Sequence, residues 1–415
     1  MRRLIPLLLL VIALGSALPA HATTLPTTTT TAAARDLAAS GPFRAGWTDV
    51  TITAADGHVF GARIYYPARR NGANTPISLA GAPYPVISFA HGFIQPVSRY
   101  ASTLRHLATW GFLVAAPWAE ADLSPNPNQL AFDLSRAFSW LVAQNSTTGS
   151  RFAGAVDTEH FGVSGHSMGG GASIVAASRD PRVDAVANLA AVPTSIMTPP
   201  PTAAISQVLV PVQLIGGSED IIIPPATSQV PLYANANGPR QAPLLLGGSH
   251  CGFLDHDDPI FCDTGSMSRT TQLSITRRML TAWFLLYLKG DQALWPQVWG
   301  PGTFNDPQIT LTADPGATLN PPTQSGNTPV GQPKRYTFTL TNTRPLSSAY
   351  QLEVVSQWPA TSSLSQTPPL ATNEATTLSV EITPVAAGTQ QALLIARSLV
   401  DGGTVVLATL TTTAP

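Results

Sequence analysis

Charge is scarce in this 415-residue chain, in which only 11% of the residues are Asp, Glu, Lys or Arg. An average soluble protein has about 25%. The 22 basic and 23 acidic residues leave a net charge of −1, so no basic face is expected to neutralise nucleic-acid phosphates. Because 44% of the residues are hydrophobic, the composition also disfavours a disordered polyelectrolyte. We expect a globular protein of two or three domains that has no nucleic-acid partner.

Cysteine is nearly absent, since the chain has only Cys251 and Cys262. Two cysteines are too few for a disulfide scaffold. Histidine and cysteine do not cluster at metal-ligand spacing, and no dinucleotide fingerprint follows a strand-like segment. We therefore expect neither a metal nor an organic cofactor.

Long apolar runs are confined to the first residues of the chain. Residues 4–18 are almost wholly apolar and follow two arginines, but about 15 residues are short of the roughly 20 that span a bilayer. Residues 20–22 have the small-x-small pattern of a cleavage site. We expect residues 1–22 to be a secretory signal peptide and the Thr/Ala-rich residues 23–45 to be a spacer. The mature protein is then secreted, extracellular or periplasmic, without a membrane span.

Secretion bears on the two cysteines. In an exported protein a single pair is expected to be bridged, so we predict a disulfide between Cys251 and Cys262. Two unrelated buried thiols are the alternative.

The rest of the sequence divides into two parts with different periodicity. Residues 46–296 alternate short apolar runs with amphipathic stretches, which predicts a mostly parallel sheet covered by helices on both faces. Residues 297–331 are rich in Pro, Gly, Thr and Asn and are interpreted as a linker. Residues 332–415 alternate with period two, which predicts a small all-β sandwich. We expect the whole protein to be a monomer.

A candidate nucleophile lies in the first part. The segment Gly165-His166-Ser167-Met168-Gly169 matches the G-x-S-x-G pattern. It follows a predicted strand and precedes a predicted helix, and a tight turn between the two needs glycine on both sides of the serine. Such a turn would expose the Ser167 hydroxyl at the edge of the sheet. A glycine-rich packing turn is the alternative.

A serine nucleophile needs a base, and the base needs a carboxylate that orients it. His250 follows a predicted strand and comes after Ser167 in the chain, so it is the predicted base, with His256 as its rival. Asp220 follows another predicted strand and is the predicted acid, with the adjacent Glu219 as its rival. The order Ser, Asp, His is that of the α/β-hydrolase fold.

Backbone amides near the serine would stabilise a developing oxyanion. Phe93 follows a predicted strand and the turn His91-Gly92. Its amide and that of Met168 are the predicted donors, and an ordinary strand-end turn is the alternative. The side chains of Phe93 and Met168 are also expected to line a substrate cleft. Trp118, after the next strand, either extends that wall or belongs to the core.

Several segments resemble one group of hydrolases. SGHSMGGGASIVAASRD closely resembles the nucleophile segment of cutinase-like polyester hydrolases. VISFAHGF…LATWGFLVAAP is similar to those enzymes, to chlorophyllases and to dienelactone-hydrolase relatives, while LIGGSEDIIIPP and GGSHCGF are similar to their acid and base segments. The resemblance covers about residues 47–289. It implies the α/β-hydrolase fold, the triad Ser167, Asp220 and His250, and Phe93 and Met168 as oxyanion donors.

The end of the chain resembles a different module. TFTLTNT…YQLEVVS and LATNEATTLSVEITP are similar to immunoglobulin-like modules appended to exported bacterial enzymes.

These features predict a secreted serine carboxylic-ester hydrolase, whose substrate is an ester, polymeric or lipid. In polyester hydrolases of this type, a helix follows the nucleophile, a strand follows that helix, and a tryptophan usually comes soon after the strand. At that place this chain has Ala190-Ala191-Val192-Pro193-Thr194, which contains no tryptophan. The competing hypothesis is a non-catalytic exported binding or surface protein on a hydrolase fold. Labelling with a fluorophosphonate separates the two.

Overall fold

The computed structural model describes residues 35–118, 125–193, 197–257, 262–400 and 404–415. The expected signal peptide, residues 1–22, and most of the expected spacer, residues 23–45, lie outside the described residues. None of the helices in the described ranges is long and apolar enough to cross a membrane.

A ten-stranded sheet is the centre of the first part of the chain. Its strands are β1 (Arg44–Thr53), β2 (Val59–Ala68), β3 (Gly72–Ala73), β4 (Tyr84–Ala90), β5 (Leu113–Pro117), β6 (Val156–His166), β7 (Val183–Leu189), β8 (Val212–Gly217), β9 (Arg240–Leu245) and β10 (Ile309–Asp314). The spatial order is β10-β9-β8-β7-β6-β4-β5-β2-β1-β3. The strands from β5 across to β9 pair in parallel, while β2 pairs antiparallel with both β1 and β5, and β10 pairs antiparallel with β9.

Apolar sequence explains the parallel centre of this sheet. β4 and β5 are buried along their full length, as expected for strands that are covered on both faces. Towards the edge, a hairpin at Asp56-Gly57 joins β1 to β2, and Gly57 has a φ of 83°. Glycine adopts this left-handed conformation without the steric cost of a Cβ atom.

Helices cover both faces of the sheet. The α-helices of the described chain are α1 (Ala101–Thr109), α2 (Pro127–Ser146), α3 (Met168–Ala177), α4 (Pro201–Ala204), α5 (Gln229–Asn235), α6 (Arg269–Leu288), α7 (Trp295–Val298) and α8 (Pro301–Phe304). One hydrophobic core contains Leu130 of α2 and Ile174 of α3. A second contains Leu104 of α1 and Leu280 of α6. The sheet therefore lies between two helical layers, as the alternating sequence predicts.

The interpretation of residues 297–331 as a linker is wrong. Within them β10 pairs with β9 from Ile309 to Asp314 and covers an edge of the main sheet. The main sheet thus extends from Arg44 to Asp314 rather than over residues 46–296. Its last strand is short and lies among turn residues, so local sequence alone did not distinguish it from a linker.

Two four-stranded sheets form a C-terminal β-rich module. Its strands are β11 (Ala317–Asn320), β12 (Thr323–Asn327), β13 (Lys334–Asn342), β14 (Tyr350–Val355), β15 (Ala360–Ser362), β16 (Ala375–Ile382), β17 (Gly388–Ser398) and β18 (Val405–Ala414). The sheet orders are β11-β13-β16-β15 and β12-β18-β17-β14. Tyr336, Phe338 and Leu340 alternate into one shared core, as the period-two pattern predicts. The module begins at Ala317, before the expected residue 332.

The module packs against the main sheet domain. Trp295 of α7 donates from Nε1 to the carbonyl of Val405 at 2.6 Å. Arg344 is fully buried and donates from Nη2 to the carbonyl of Leu209, in the other domain, at 3.1 Å. Residues 37–415 accordingly form one compact unit.

We expect Arg344→Ala to lower the free energy of unfolding by about 2–4 kcal/mol, because it leaves a cavity and removes a donor to Leu209. Arg335 is exposed on β13, so Arg335→Ala, the matched control, should change that free energy by about 0.5 kcal/mol or less. Urea unfolding of both variants measures the difference. Equal effects would contradict the assigned packing.

Candidate active site

Strands of the parallel centre bring the predicted site residues to one edge of the sheet. β4 is followed by His91-Gly92-Phe93, β6 by Ser167, β8 by Asp220 and β9 by His250 within a few residues. The carboxyl ends of parallel strands lie at the same edge, where α/β folds form their binding sites.

Ser167 lies in a strained turn between β6 and α3. Its φ is 56° and its ψ is −120°, a combination that non-glycine residues rarely adopt. A side chain at Gly165 would overlap the carbonyl of Gly169, and one at Gly169 would overlap the carbonyl of Ala90. The amide of Ser167 donates to Leu189 of β7 at 2.9 Å. The glycines of the motif are therefore needed so that the turn can pack against β4.

His250 and Asp220 form a buried pair. His250 Nδ1 lies 2.7 Å from Asp220 Oδ2, and the residues are 5% and 3% exposed. The other carboxylate oxygen, Oδ1, accepts hydrogen bonds from the amides of Ile222 and Ile223 at 2.9 and 2.7 Å. These bonds orient the carboxylate so that it favours a proton on Nδ1, which leaves His250 Nε2 free to accept one.

The two rival residues are placed differently. Glu219 is exposed, and its carboxylate accepts hydrogen bonds from the hydroxyl and the amide of Ser266 at 2.8 and 2.7 Å. Those bonds lower the pKa of Glu219. His256 is also exposed. Neither residue belongs to the buried pair.

Ser167 and His250 line one cavity of about 240 Å³. Phe93 and Ile222 belong to its lining and are 48% and 40% exposed, so the mouth of the cavity is apolar. In the described part of the chain no hydrogen bond joins Ser167 to His250. Catalytic hydrogen bonds of this kind often close only in the substrate complex.

Two backbone amides near the serine are candidate oxyanion donors. Within the described ranges the amides of Phe93 and Met168 have no acceptor. Met168 is the first residue of the ten-residue helix α3, whose N-terminus favours negative charge. Phe93 also belongs to the lining of the cavity.

Two predicted wall residues lie elsewhere. The Met168 side chain is 2% exposed and packs in the core with α2 and α3. The indole of Trp118 lies on Gly61 of β2, so closely that a Cβ there would overlap it. Neither side chain is among the described residues that line the cavity. For both, core packing outweighs exposure to the cleft.

A disulfide and a carboxylate hold the loop that follows His250. Cys251 and Cys262 are bonded, as predicted. The buried Asp263 accepts hydrogen bonds from the amides of His250 and Cys251 at 3.0 and 2.9 Å, and from the amide of Ile221 at 3.3 Å. It therefore ties the His250 loop to the Asp220 loop. The sequence analysis did not identify Asp263. The one feature of the sequence that pointed to it was its position directly after Cys262.

Known proteins similar to this chain are ester hydrolases by name. Cutinase 1 of Thermobifida cellulosilytica is 29% identical over 196 residues, which are 47% of this chain and 66% of the relative. Cutinase of Thermobifida fusca is 30% identical over 196 residues, 47% of this chain and 58% of the relative. Bis(hydroxyethyl) terephthalate hydrolase of Streptomyces coelicolor is 28% identical over 194 residues, 47% of this chain and 55% of the relative. The chain thus spans less than two thirds of the length of these relatives.

A family comparison covers more of the chain. The model of the family described as PETase, PET hydrolase-like, matches residues 22–261, which is more than half of the 415 residues. The matched range contains Ser167, Asp220 and His250, and the family implies an α/β-hydrolase fold for the main sheet domain. On this match, the chain belongs to the PET hydrolase-like family.

Proposed function

We propose that the protein is a secreted carboxylic-ester hydrolase that forms an acyl-enzyme on Ser167. The observation that carries the proposal is the buried His250–Asp220 pair, whose histidine lines the same cavity as the strained Ser167 turn. Strain at this position is supportive because it persists only where surrounding structure enforces it, and such positions concentrate at functional sites.

The first half of the reaction acylates the enzyme. His250 Nε2 accepts the hydroxyl proton of Ser167 while Oγ bonds to the ester carbonyl carbon. The carbon–oxygen bond to the alcohol then breaks, and His250 returns the proton to the leaving alkoxide. Asp220 stabilises the imidazolium that forms between these two transfers.

The second half releases the acid. Water bonds to the acyl carbon, His250 takes its proton, and the bond to Ser167 Oγ breaks as Oγ regains that proton. In both halves a tetrahedral oxyanion forms, and the amides of Phe93 and Met168 are the proposed donors to it.

The proposed substrate is an ester with an apolar acyl or aryl group, presented by a polymer or a lipid. The apolar mouth formed by Phe93 and Ile222 supports this substrate class, as do the names of the relatives. Tyr350 and Trp358 of the C-terminal module are buried, at 0% and 6% exposure. They therefore offer no aromatic surface to an insoluble polymer.

Secretion and a monomeric state belong to the same proposal. The Cys251–Cys262 disulfide supports an oxidising compartment, in keeping with the N-terminal sequence.

Three assays test the proposed function: hydrolysis of p-nitrophenyl esters of increasing acyl length, hydrolysis of a polyester film, and labelling by a fluorophosphonate. We expect hydrolysis of the soluble esters and stoichiometric labelling. A folded protein that neither hydrolyses any ester nor reacts with the probe would instead support the binding-protein hypothesis.

Asp263→Asn should lower kcat/KM on a soluble ester about 10- to 100-fold, a typical cost of misplacing a catalytic group. The amide can accept with only one atom, whereas the carboxylate accepts from three amides with two. Asp49→Asn is the control, because Asp49 is an exposed residue of β1 whose carboxylate pairs with Arg63 of β2. Steady-state kinetics at a temperature where all proteins are folded gives the ratio. An Asp263→Asn enzyme as active as the control would exclude a positioning role.

A further inference from the structure

The loop that carries the Phe93 amide contains an unfavourable residue conformation. Ile94 has a φ of 48°, which a β-branched residue adopts rarely because its side chain crowds the backbone. Surrounding contacts must therefore hold the loop in this shape. The backbone immediately before Phe93 shows one such contact.

A buried tyrosine holds that backbone. The amide of Gly92 donates to Tyr100 Oη at 2.9 Å, and Tyr100 Oη lies 2.9 Å from His166 Nδ1. Tyr100 and His166 are 0% and 1% exposed. A Cβ at Gly92 would come within 3.1 Å of Tyr100 Oη and 3.2 Å of His166 Nδ1, so glycine leaves room for this close approach.

The chemistry of the groups determines the direction of each hydrogen bond. The Gly92 amide can only donate, so the Tyr100 oxygen accepts from it. Burial raises the pKa of Tyr100, so its hydroxyl keeps a proton that it donates to His166. Burial, reinforced by His250, holds the pKa of His166 well below its ordinary range, so the ring is neutral. Nδ1 is assigned as the acceptor because, among the described residues, it is the one partner to which the Tyr100 hydroxyl can donate.

His166, which accepts the hydrogen bond from Tyr100, lies against the proposed base His250. The rings of His166 and His250 have centroids 4.5 Å apart, and His166 also contacts Phe253 at 5.8 Å. His166 precedes Ser167 in the chain. Tyr100 thus connects the loop of one proposed oxyanion donor to the segment that carries the nucleophile.

We infer that Tyr100 is a positioning residue that sets the placement of the Phe93 amide, through its hydrogen bonds to the Gly92 amide and to His166. The inference rests on the proposed ester hydrolysis and deepens it. Tyr100 contacts neither the substrate nor the reacting atoms in this role, and its contribution falls on the step in which the oxyanion forms.

Tyr100→Phe tests the inference, because it removes only the hydroxyl. We expect kcat on a soluble p-nitrophenyl ester to fall about 10- to 50-fold, somewhat less than the loss of one oxyanion donor, while KM changes by about 2-fold or less. The second-order rate of fluorophosphonate labelling should fall with kcat, since the probe also develops negative charge on oxygen. Both rates are expressed per labelled active site, so that misfolded protein does not contribute.

Tyr84→Phe is the matched control. Tyr84 is a fully buried tyrosine of β4 whose hydroxyl donates to the carbonyl of Ser78 at 2.8 Å. Loss of the Tyr84 hydroxyl should lower the melting temperature as much as loss of the Tyr100 hydroxyl. It should nevertheless leave kcat per active site within about 2-fold of the wild-type value. A merely structural Tyr100 would behave like this control, and that result overturns the inference.

A second pair of variants is independent of how well Tyr100→Phe folds. His166→Asn retains an acceptor for Tyr100, whereas His166→Leu does not. We expect the kcat of His166→Asn to be at least about 5-fold higher than that of His166→Leu. This ratio corresponds to roughly 1 kcal/mol of retained hydrogen bonding. Equal kcat values overturn the inference. A wild-type protein without hydrolysis or labelling would instead refute the proposed function itself.

Discussion

Ser167→Ala should abolish fluorophosphonate labelling and lower esterase kcat by about 10⁴-fold or more, as loss of a triad nucleophile does elsewhere. The reason is local. The turn between β6 and α3 holds Ser167 at a φ of 56° beside the cavity shared with His250, and alanine cannot form the acyl-enzyme. The measurements are active-site labelling followed by mass spectrometry and kcat on a soluble ester.

Ser173→Ala is a suitable control for this prediction. Ser173 is a buried serine of α3 that donates to the carbonyl of Gly170 at 2.8 Å and bonds Asn188. It lies on the helix that follows Ser167 but outside the described cavity lining. Its replacement should leave labelling intact. Retained labelling and turnover in Ser167→Ala would show that another residue is the nucleophile.

Asp220→Asn should lower kcat by about 10⁴-fold, because an amide in this place favours the wrong tautomer of the base. Asp220 Oδ2 lies 2.7 Å from His250 Nδ1, and Oδ1 is held by the amides of Ile222 and Ile223. An asparagine held in the same orientation can present its NH₂ group to Nδ1. His250 then carries its proton on Nε2 and cannot accept one from Ser167.

Glu219→Gln is the matched control for the acid, since it makes the same chemical change one residue away. Glu219 is exposed and bonded to Ser266, so the change should alter kcat by about 3-fold or less. Steady-state kinetics of both variants on one soluble ester gives the comparison. If Glu219→Gln is the inactive variant, the acid has been assigned to the wrong carboxylate.

Local sequence was enough to propose the residues of the candidate site. Gly165-His166-Ser167-Met168-Gly169 contains its own structural reason, because glycines on both sides of the serine permit the turn to pack on β4. Asp220 and His250 were predicted from their positions after apolar runs, and parallel topology brings such strand ends to one edge. The disulfide followed from a single cysteine pair in a chain expected to be exported.

Other features depend on partners that are distant in sequence. Residues 309–314 became the tenth strand of the main sheet because β9 offers an edge to them. Local composition, with Pro and Gly on both sides, indicated only a linker. Arg344 is a charged residue that the sequence pattern would place at the surface, yet its partner Leu209 lies 135 positions away.

Sequence by itself determined the α/β alternation and the period-two module, and it was enough to propose Ser167, Asp220 and His250 as serine, acid and base, because periodicity and turn chemistry are properties of neighbouring residues. Only the tertiary structure decided that Asp263 joins the Asp220 and His250 loops, that Tyr100 connects Gly92 to His166, that Met168 lies in the core and that Trp118 packs against the core. Those roles arise from side chains that converge across strands and helices. No local sequence pattern specifies which of these side chains come into contact, because the contacts depend on how the helices pack on the sheet.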